Sequence, residues 1–329
     1  MDFQYFIELF FGGLTRGSIY ALIALGYTLV YGIIELINFA HGDFIMVGSY
    51  VLMLTIPAIV AFGLPAWVAV IPAILMCVAL LVAGVLGIVG FPAGGILIVA
   101  ALAAVVWSAA YGYTLEKVAY KPLRGAPRLS PLISAIGMSI FLQNYVLLAQ
   151  TSDYVPFPRL LPEMEFLDYL GNIMGPSDFL ILVTSTLAMV SLSLFIRYTR
   201  MGKAMRATAQ NRKMALLLGI NADRIISLTF IVGSALAALG GVLIASHMGQ
   251  VNFGIGFLAG LKAFTAAVLG GIGSIPGARV GGLVLGIAES MTTGYLSGNY
   301  EDALAFALLI LILIFRPDGI LGKAKVQKV

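Results

Sequence analysis

Long apolar stretches follow one another along almost the whole chain, and short polar segments separate them. A helix of roughly 20 mostly apolar residues is long enough to cross the hydrocarbon core of a bilayer. The pattern therefore predicts an all-α fold, a polytopic integral membrane bundle of about 8–10 transmembrane spans. The predicted spans are residues 10–34, 44–63, 66–89, 93–112, 131–150, 178–196, 225–247, 256–272, 277–296 and 302–316.

The number of spans between residues 44 and 112 stays open on the sequence alone. Four prolines interrupt one nearly continuous apolar run there, and a proline can end or kink a helix. The run can hold three spans, or two spans with a re-entrant piece. The prolines are Pro57, Pro65, Pro72 and Pro92.

The composition excludes a water-soluble protein. Hydrophobic residues make up 60% of the 329 residues and charged residues only 10%, whereas a soluble domain has about 25% charged residues. The 38 glycines are typical of membrane helices that pack closely through small residues. The single cysteine, Cys77, excludes a disulfide framework within the chain. No basic region precedes the first apolar stretch, so we expect that stretch to be a span and not a cleaved signal peptide.

The charged residues are unevenly distributed and predict the orientation in the membrane. Segment 197–224, the basic segment, contains seven of the 19 basic residues of the chain and one acidic residue. Segment 113–130 and the tail after Arg316 are also basic, whereas the loop 151–178 is acidic. Basic connections face the cytoplasm, so we expect the acidic loop on the outer side and both termini in the cytoplasm. The net charge of +4 follows from this pattern and gives no argument for nucleic-acid binding.

Two segments interrupt the helical pattern inside apolar sequence, at residues 37–44 and 269–282. Non-helical backbone at membrane depth is tolerated only where protein buries it or where it lines a water-filled cavity. Both segments are therefore candidates for a translocation pathway or hinge. Each segment also has a purely structural alternative. Residues 37–44 can form a polar network that closes a kinked turn, and residues 269–282 can serve ordinary helix packing. The candidate residues are Asn38, His41, Asp43, Gly270, Gly271, Gly273, Pro276 and Gly277.

Other ionisable residues in the apolar stretches are costly in hydrocarbon, so each is a functional hypothesis. Lys262 and Arg279 lie near predicted span ends, where long side chains can extend to the interface. Glu289 lies within a span, and we expect it to pair inside the bundle. The two histidines are about 200 residues apart, so no metal site is expected. No motif such as HExxH or GxSxG occurs, which disfavours an intramembrane enzyme.

Helical periodicity predicts one short amphipathic helix, or two, within the basic segment. Gly219 is a natural C-terminal cap, and Asn221 or Asp223 can cap the next span. Such a helix can lie on anionic lipid headgroups or dock onto a cytoplasmic partner. Small residues opposite the polar stripe insert poorly into lipid but fit a groove, which favours docking. The polar stripe is Lys203, Arg206, Gln210 and Lys213.

Several motifs in fixed order resemble those of the bacterial branched-chain amino acid ABC transporter permeases, of the LivH-type subunit. The resemblance covers most of the chain and is weakest over about 57–111. The motifs are GSIYALIALGYTLVYGIIELINFAHGDFIMVGSYV (17–51), LISAIGMSIFLQNYV (132–146), RYTRMGKAMRATAQNRKMALLLGINADRIISLTF (197–230), KAFTAAVLGGIGSIPGARVGGLVLGIAES (262–290) and FALLILILIFRPDGILG (306–322).

The resemblance implies a heteromeric importer of leucine, isoleucine and valine in the bacterial inner membrane. This chain would be one permease domain over residues 1–329, without catalytic residues or a cofactor of its own. Its partners would be a second related permease, two cytoplasmic ATPase subunits that bind ATP and Mg, and a periplasmic binding protein. A permease for urea, short amides or other amino acids is the alternative within this architecture. A self-contained secondary transporter or channel is a further alternative.

The resemblance also implies that a helix at about 203–219 sits in a groove on the ATPase. Its movement would shift the pathway between inward-open and outward-open packings. The residues expected in this coupling helix are Lys203, Arg206, Ala207, Asn211, Arg212, Ala215, Gly219 and Asn221, with Ala207, Asn211, Ala215 and Gly219 at its small-residue positions.

Overall fold

The computed structural model describes residues 3–60, 93–127, 129–156 and 174–322. Over these residues the chain is almost entirely helical, apart from short connections and one two-stranded pairing. The helices are α1 (Phe3–Ile34), α2 (His41–Val60), α3 (Ala93–Leu115), α4 (Leu129–Ala149), α5 (Pro176–Tyr198), α6 (Arg200–Gln210), α7 (Arg212–Leu217), α8 (Ala222–Met248), α9 (Ile255–Gly270), α10 (Ile275–Tyr295) and α11 (Glu301–Phe315). The strands β1 (Val155–Pro156) and β2 (Gln250–Val251) pair antiparallel.

Each predicted span among the described residues coincides with an α-helix, which confirms the all-α polytopic fold. Five helices of the described ranges are long and apolar enough to cross a membrane, namely α1, α4, α5, α8 and α11 with its preceding 3-10 turn. Helices α9 and α10 meet these criteria together and are bent by 120° where they join. The predicted span 66–89 lies outside the described residues, as do Cys77, residues 157–173 of the acidic loop and the tail after Gly322.

The chain divides into two compact units by its internal contacts. The first unit comprises Met1–Asn38, Glu165–Thr229 and Ala259–Val329, and the second comprises Phe39–Met164 and Phe230–Leu258. Helices α8 and α9 therefore contribute residues to both units.

A close antiparallel contact between α1 and α10 is the centre of the first unit. A Cβ atom placed on Gly17 would lie 2.8 Å from the carbonyl oxygen of Gly282, and one placed on Gly13 would lie 2.7 Å from the Cα of Ile287. Only glycine allows two backbones to approach so closely, and such contacts are a common basis of helix association in membranes. The expected close packing of glycine-rich helices is therefore confirmed here.

A tight turn at residues 271–274 joins α9 to α10, at the glycine-rich break in the sequence. Gly271 and Gly273 have φ values of 106° and 91°, in the region that glycine occupies without strain. Ser274 caps α10, because its hydroxyl oxygen accepts a hydrogen bond from the N–H of Gly277 at 3.2 Å. The turn between two helices that the sequence predicted is confirmed.

The chain that follows α11 returns to this turn and completes the end of α9. The N–H groups of Ile320 and Leu321 donate to the carbonyl oxygens of Leu269 and Gly270, at 2.9 and 3.0 Å. The last carbonyls of a helix lack partners within the helix. Residues 319–322 therefore act as a C-terminal cap that is supplied from a distant part of the sequence.

An ion cluster joins α9, α10 and α11 in the first unit. The Nζ atom of Lys262 lies 3.4 Å from Glu289, 2.6 Å from Glu301 and 2.8 Å from Asp302. Arg16 of α1 lies 3.3 Å from Glu301. Glu289 is fully buried and Lys262 nearly so. The expected pairing of Glu289 inside the bundle is confirmed, whereas the expectation that Lys262 extends to the interface is wrong, because three carboxylates hold its ammonium group within the protein.

The described ends of the chain lie at opposite ends of the first unit. Near the start of α1, the hydroxyl of Tyr5 donates to the carbonyl of Gly294 at the end of α10, at 3.0 Å. Residues 319–322, by contrast, lie against Gly271, just before α10 begins.

The second unit packs α2 closely against the part of α8 that belongs to it. A Cβ atom on Gly48 would lie 2.6 Å from the Cα of Ala238. The hydroxyl of Ser49 donates to the carbonyl of Gly241 at 2.9 Å. Helices α3 and α4 also contact α2, so α2 is surrounded by helices of its own unit.

Segment 113–130, the other basic connection, is mostly helical rather than a loop. A π-helical turn, Glu116–Tyr120, continues α3 and is followed by a short connection to α4. Glu116 is fully buried and forms ion pairs with Arg124 and with Lys117, the latter at 3.6 Å. This internal pairing uses part of the positive charge that the sequence shows in this segment.

Candidate functional site

The basic segment 197–224 forms a compact helical connection between α5 and α8. Helix α6 begins after a single residue, Thr199, whose hydroxyl oxygen accepts a hydrogen bond from the N–H of Gly202 at 3.0 Å. Gly202 lies against the last turn of α5, where an added Cβ would be 2.5 Å from the Cα of Ile196. Helix α6 is therefore packed directly onto the end of α5 and is not connected to it by a flexible loop.

Asn211 divides the segment into two helices, the second of the two alternatives that the sequence allowed. Its backbone is extended, with φ −158° and ψ 104°, and its side-chain oxygen accepts a hydrogen bond from the N–H of Met214 at 3.1 Å. Asn211 is thus the N-cap of α7. Because the chain changes direction here, one helical wheel does not describe residues 200–219.

The end of α7 and the start of α8 are fixed by two caps, as the sequence predicted. Gly219 has a φ of 79°, and the N–H groups of Gly219 and Ile220 donate to carbonyls of α7 at 3.0 Å each. This is the hydrogen-bond pattern of a Schellman motif. Asn221 then caps α8, because its side-chain oxygen accepts from the N–H of Arg224 at 3.1 Å.

Two of the arginines stabilise the segment itself. Arg206 donates to the carbonyl of Arg197 at 3.2 Å, and Arg212 lies 3.1 Å from the carboxylate of Asp223. The other basic side chains extend the positive surface, and the predicted polar stripe is exposed over its whole length. Its members are Lys203, Arg206, Gln210 and Lys213.

The outward apolar surface consists of large residues rather than small ones. Ala215 is only 2% exposed, because its side chain faces the protein, and Ala207 is half-buried. Ala215 is therefore not available to a partner in this conformation. Leu217, by contrast, is 81% exposed. We call the exposed group on and after α7 the leucine patch; it comprises Met214, Leu216, Leu217 and Leu218.

Arg279 connects the start of α10 to the helix that leads into α6. Its guanidinium donates to the carbonyl of Met189 and to the hydroxyl of Ser193, both on α5. The expectation that Arg279 extends to the interface is therefore wrong. Of the candidate hinge residues beside it, Gly270, Gly271 and Gly277 are buried, whereas Gly273 and Pro276 are exposed.

The candidate pathway residues just before α2 and in its first turn are all buried. Asn38, His41 and Asp43 are each at most 2% exposed, and the chain leaves α1 through Glu35 with a φ of 55°. The Oδ1 atom of Asp43 accepts a hydrogen bond from the side-chain amide of Gln143, on α4, at 2.9 Å. The non-helical break after α1 is thus followed directly by a polar contact between α2 and α4.

Sequence reasoning missed the leucine patch and Gln143. The run MALLLG over residues 214–219 carried a signal for the first, because three consecutive leucines cannot all face one side of a helix. A polar residue inside the apolar stretch 131–150 was the signal for Gln143.

The chain matches a family model described as "Branched-chain amino acid transport system / permease component" over residues 9–313. It is 50% identical over 332 residues to the high-affinity branched-chain amino acid transport system permease protein LivH of Escherichia coli strain K12, covering 100% of this chain and 99% of the relative. It is 47% identical to the corresponding protein BraD of Pseudomonas aeruginosa, with the same coverage. A probable branched-chain amino acid transport permease protein LivH of Methanocaldococcus jannaschii is 25% identical, over 94% of this chain and 91% of the relative. No solved structure matches.

Proposed function

Because the chain belongs to the family of permease components of branched-chain amino acid transport systems, we propose that it forms the membrane pathway by which an ATP-driven importer moves leucine, isoleucine and valine. It is a multi-pass membrane permease subunit and not an enzyme. The full-length similarity to LivH and BraD is the observation that carries the proposal. These relatives do not favour a permease for urea or short amides, or a self-contained transporter.

A permease of this family works within a transporter complex of several subunits. The partners we propose are a second, homologous permease, two cytoplasmic subunits that bind ATP and Mg, and a periplasmic binding protein that delivers the amino acid. The complex lies in the bacterial inner membrane. We propose that residues 1–329 act as one permease domain, which is supported by the single family model that spans residues 9–313.

The basic segment is the proposed contact with the ATPase subunits. Its exposed surface combines the leucine patch with exposed lysines and arginines, including Lys203, Lys213 and Arg224. A compact apolar surface with a charged rim is typical of a protein interface. The leucine patch replaces Ala215 as the apolar part of this contact, and Lys203, Arg206, Ala207, Asn211, Arg212, Gly219 and Asn221 surround or support it.

The caps and packing at both ends of the segment support its role as a lever. Gly202 packs on the end of α5, and Asn221 caps the start of α8. A displacement of α6 and α7 therefore moves both spanning helices instead of being absorbed by a loop. Arg279 transmits movement of α5 to the start of α10. Closure of the ATPase dimer on ATP would then shift the pathway between two discrete packings, and this chain supplies no catalytic group.

Docking is tested with two charge substitutions at leucines of similar exposure, 81% for Leu217 and 74% for Leu296. Leu217→Asp, in the leucine patch, should abolish co-purification of the ATPase subunits from membranes and abolish leucine uptake, while the permease still inserts into the membrane. Leu296→Asp is the matched control, because Leu296 is also highly exposed but lies at the C-terminal end of α10, away from the end that contacts α5. This variant should leave ATPase recovery unchanged. Normal ATPase recovery with Leu217→Asp would refute the docking role.

Substrate and energy source are tested with the purified complex in proteoliposomes. We expect labelled leucine to accumulate only when ATP, both ATPase subunits and the binding protein are present. Uptake by the permease alone would instead support a self-contained transporter, and uptake of urea without leucine would overturn the substrate.

The packing of α1 also supports a revised orientation, with residue 3 on the outer side. Arg279 and Ser193 place the start of α10 beside the last turns of α5, which lead into the basic segment. The start of α1 lies at the other end of α10. With the basic segment in the cytoplasm, residues 316–322 are cytoplasmic and Phe3 faces outward.

This orientation is tested by labelling single cysteines with a membrane-impermeant maleimide, in a background with Cys77 replaced. Phe3→Cys should react in intact spheroplasts. Lys213→Cys should react only after permeabilisation. A silent Phe3→Cys that becomes reactive on permeabilisation would restore the cytoplasmic assignment.

A further inference from the structure

Asp43 differs from the other buried carboxylates of the described residues in having no cationic partner among them. Glu116 pairs with Arg124, and Glu289 pairs with Lys262. Asp43 is 1% exposed, and no lysine, arginine or histidine of the described ranges forms an ion pair with it. A buried carboxylate without a cation is costly inside a membrane protein, and such residues mark functional sites by default.

Its hydrogen bonding is also incomplete. The Oδ1 atom accepts from the Nε2 of Gln143 at 2.9 Å, and the same Nε2 donates to the hydroxyl oxygen of Ser139 at 3.1 Å. The Oδ2 atom of Asp43 has no hydrogen-bond partner among the residues that the structure describes. An ionised carboxylate accepts about four hydrogen bonds, so two neutral neighbours, the amide of Gln143 and the hydroxyl of Ser139, leave part of this capacity unused.

The position of Asp43 near the start of α2 accounts for only a small part of this cost. A helix N-terminus favours a negative charge, but weakly and within its first turn. A charge-assisted hydrogen bond from a cation is about twice as strong as a neutral one. The site therefore has the chemistry of an acceptor for a cationic donor that is not part of the described chain.

Helix α4, whose Gln143 contacts Asp43, is itself mostly unburied. Only 22% of an apolar 18-residue stretch of this helix is buried. Gln143, which covers Asp43, is half-buried, and the next residue, Asn144, is exposed. Polar side chains on an open face of an apolar helix are typical of a translocation pathway or a subunit interface rather than of a lipid contact.

We propose that Asp43 binds the ammonium group of an amino acid as it crosses the permease, with Gln143 as the residue that covers and orients the carboxylate. This inference rests on the proposed function. The ammonium group supplies the positive charge and the donors that Oδ2 lacks, while Gln143 keeps its hydrogen bond to Oδ1. Specificity for the side chain is left to the binding protein.

The test is Asp43→Asn in the complete complex, reconstituted with saturating leucine-loaded binding protein. Asparagine keeps the shape and the acceptor for Gln143 but removes the charge. We expect leucine uptake to fall about tenfold or more, the effect of losing one charged hydrogen bond. Subunit assembly and thermal stability should stay at the wild-type level, because the variant no longer buries an unpaired charge.

Two further variants separate this role from a purely structural one. Asp43→Glu keeps the charge and should recover part of the uptake. Ser234→Ala removes another fully buried polar group, whose hydroxyl donates only within α8, and should leave uptake unchanged.

Either of two results would overturn the inference. Wild-type uptake by Asp43→Asn would mean that the site needs no charge. A loss of thermal stability or of subunits together with uptake would make Asp43 structural. A wild-type complex that moves no leucine would instead contradict the proposed function itself, so the two failures are distinguishable.

Discussion

Replacing Lys262 with methionine should destabilise the protein severely, because it leaves a buried carboxylate without its cation. Lys262→Met keeps the length and apolar stem of the side chain but removes the ammonium group. Glu289, 3.4 Å away and 0% exposed, then has no ion-pair partner among the residues that the structure describes. Breaking a buried pair by removing one partner costs about 3–5 kcal/mol.

The other two pairs of Lys262 add less to this cost. Asp302 has a side chain that is 55% exposed, and an exposed pair is worth about 0–1 kcal/mol. Glu301 keeps Arg16 at 3.3 Å and the hydroxyl of Thr293 at 3.3 Å. Most of the loss in Lys262→Met should therefore come from Glu289.

The double variant Lys262→Met/Glu289→Gln tests that assignment. Removing the orphaned charge should restore more than half of the stability lost in Lys262→Met, so the two substitutions should be strongly non-additive. Unfolding free energies are measured in mixed micelles with increasing SDS, and Asp302→Asn is the control, with a loss of about 1 kcal/mol or less. A loss below about 1 kcal/mol for Lys262→Met, or strictly additive losses in the double variant, would refute the reasoning.

Three other substitutions test the local packing. Gly202→Ala forces α6 away from α5, so it should lower the free energy of unfolding by about 1–3 kcal/mol and reduce ATP-coupled uptake. Lys203→Ala is its control and should keep the fold. Equal stability of the two variants would contradict the close contact. Asn211→Ala should cost about 1 kcal/mol and speed amide hydrogen exchange in α7, whereas Asn211→Asp should not. Gly282→Leu should prevent α1 from packing on α10 and lower the yield of folded permease, and the half-exposed Val284→Leu is its control.

The spans and caps were predictable from the sequence because each depends on local chemistry. A spanning helix needs only an uninterrupted apolar length, so every predicted span in the described ranges is a helix. Gly219 and Asn221 were identified as caps because a positive φ and an N-terminal acceptor are properties of single residues.

The surface of the basic segment was harder to predict, since it depends on one backbone break. Asn211 is extended rather than helical, and this turns α7 so that Ala215 faces inward and the leucines face outward. A single helical wheel assumes that the periodicity of α6 continues through Asn211. It therefore predicts the wrong exposed face for α7.

The ion cluster and the Asp43–Gln143 contact depend on tertiary packing. Lys262 and Glu301 are 39 residues apart, and Asp43 and Gln143 are 100 apart. A single sequence shows that such residues are costly in a membrane but not which partner each one meets.

Residues 319–322 cap α9 from a later part of the sequence, so the end of α9 obtains its hydrogen-bond donors late in synthesis. The carbonyls of Leu269 and Gly270 receive the N–H groups of Ile320 and Leu321, which the ribosome makes about 50 residues later. Until those residues emerge, the end of α9 depends on water or the translocation machinery for its hydrogen bonds. The end of α9, in the hairpin of α9 and α10, is therefore completed only after residues 320 and 321 have been synthesised. A stop codon placed just before Ile320 would leave this hairpin permanently unfinished, although every spanning helix had already been synthesised.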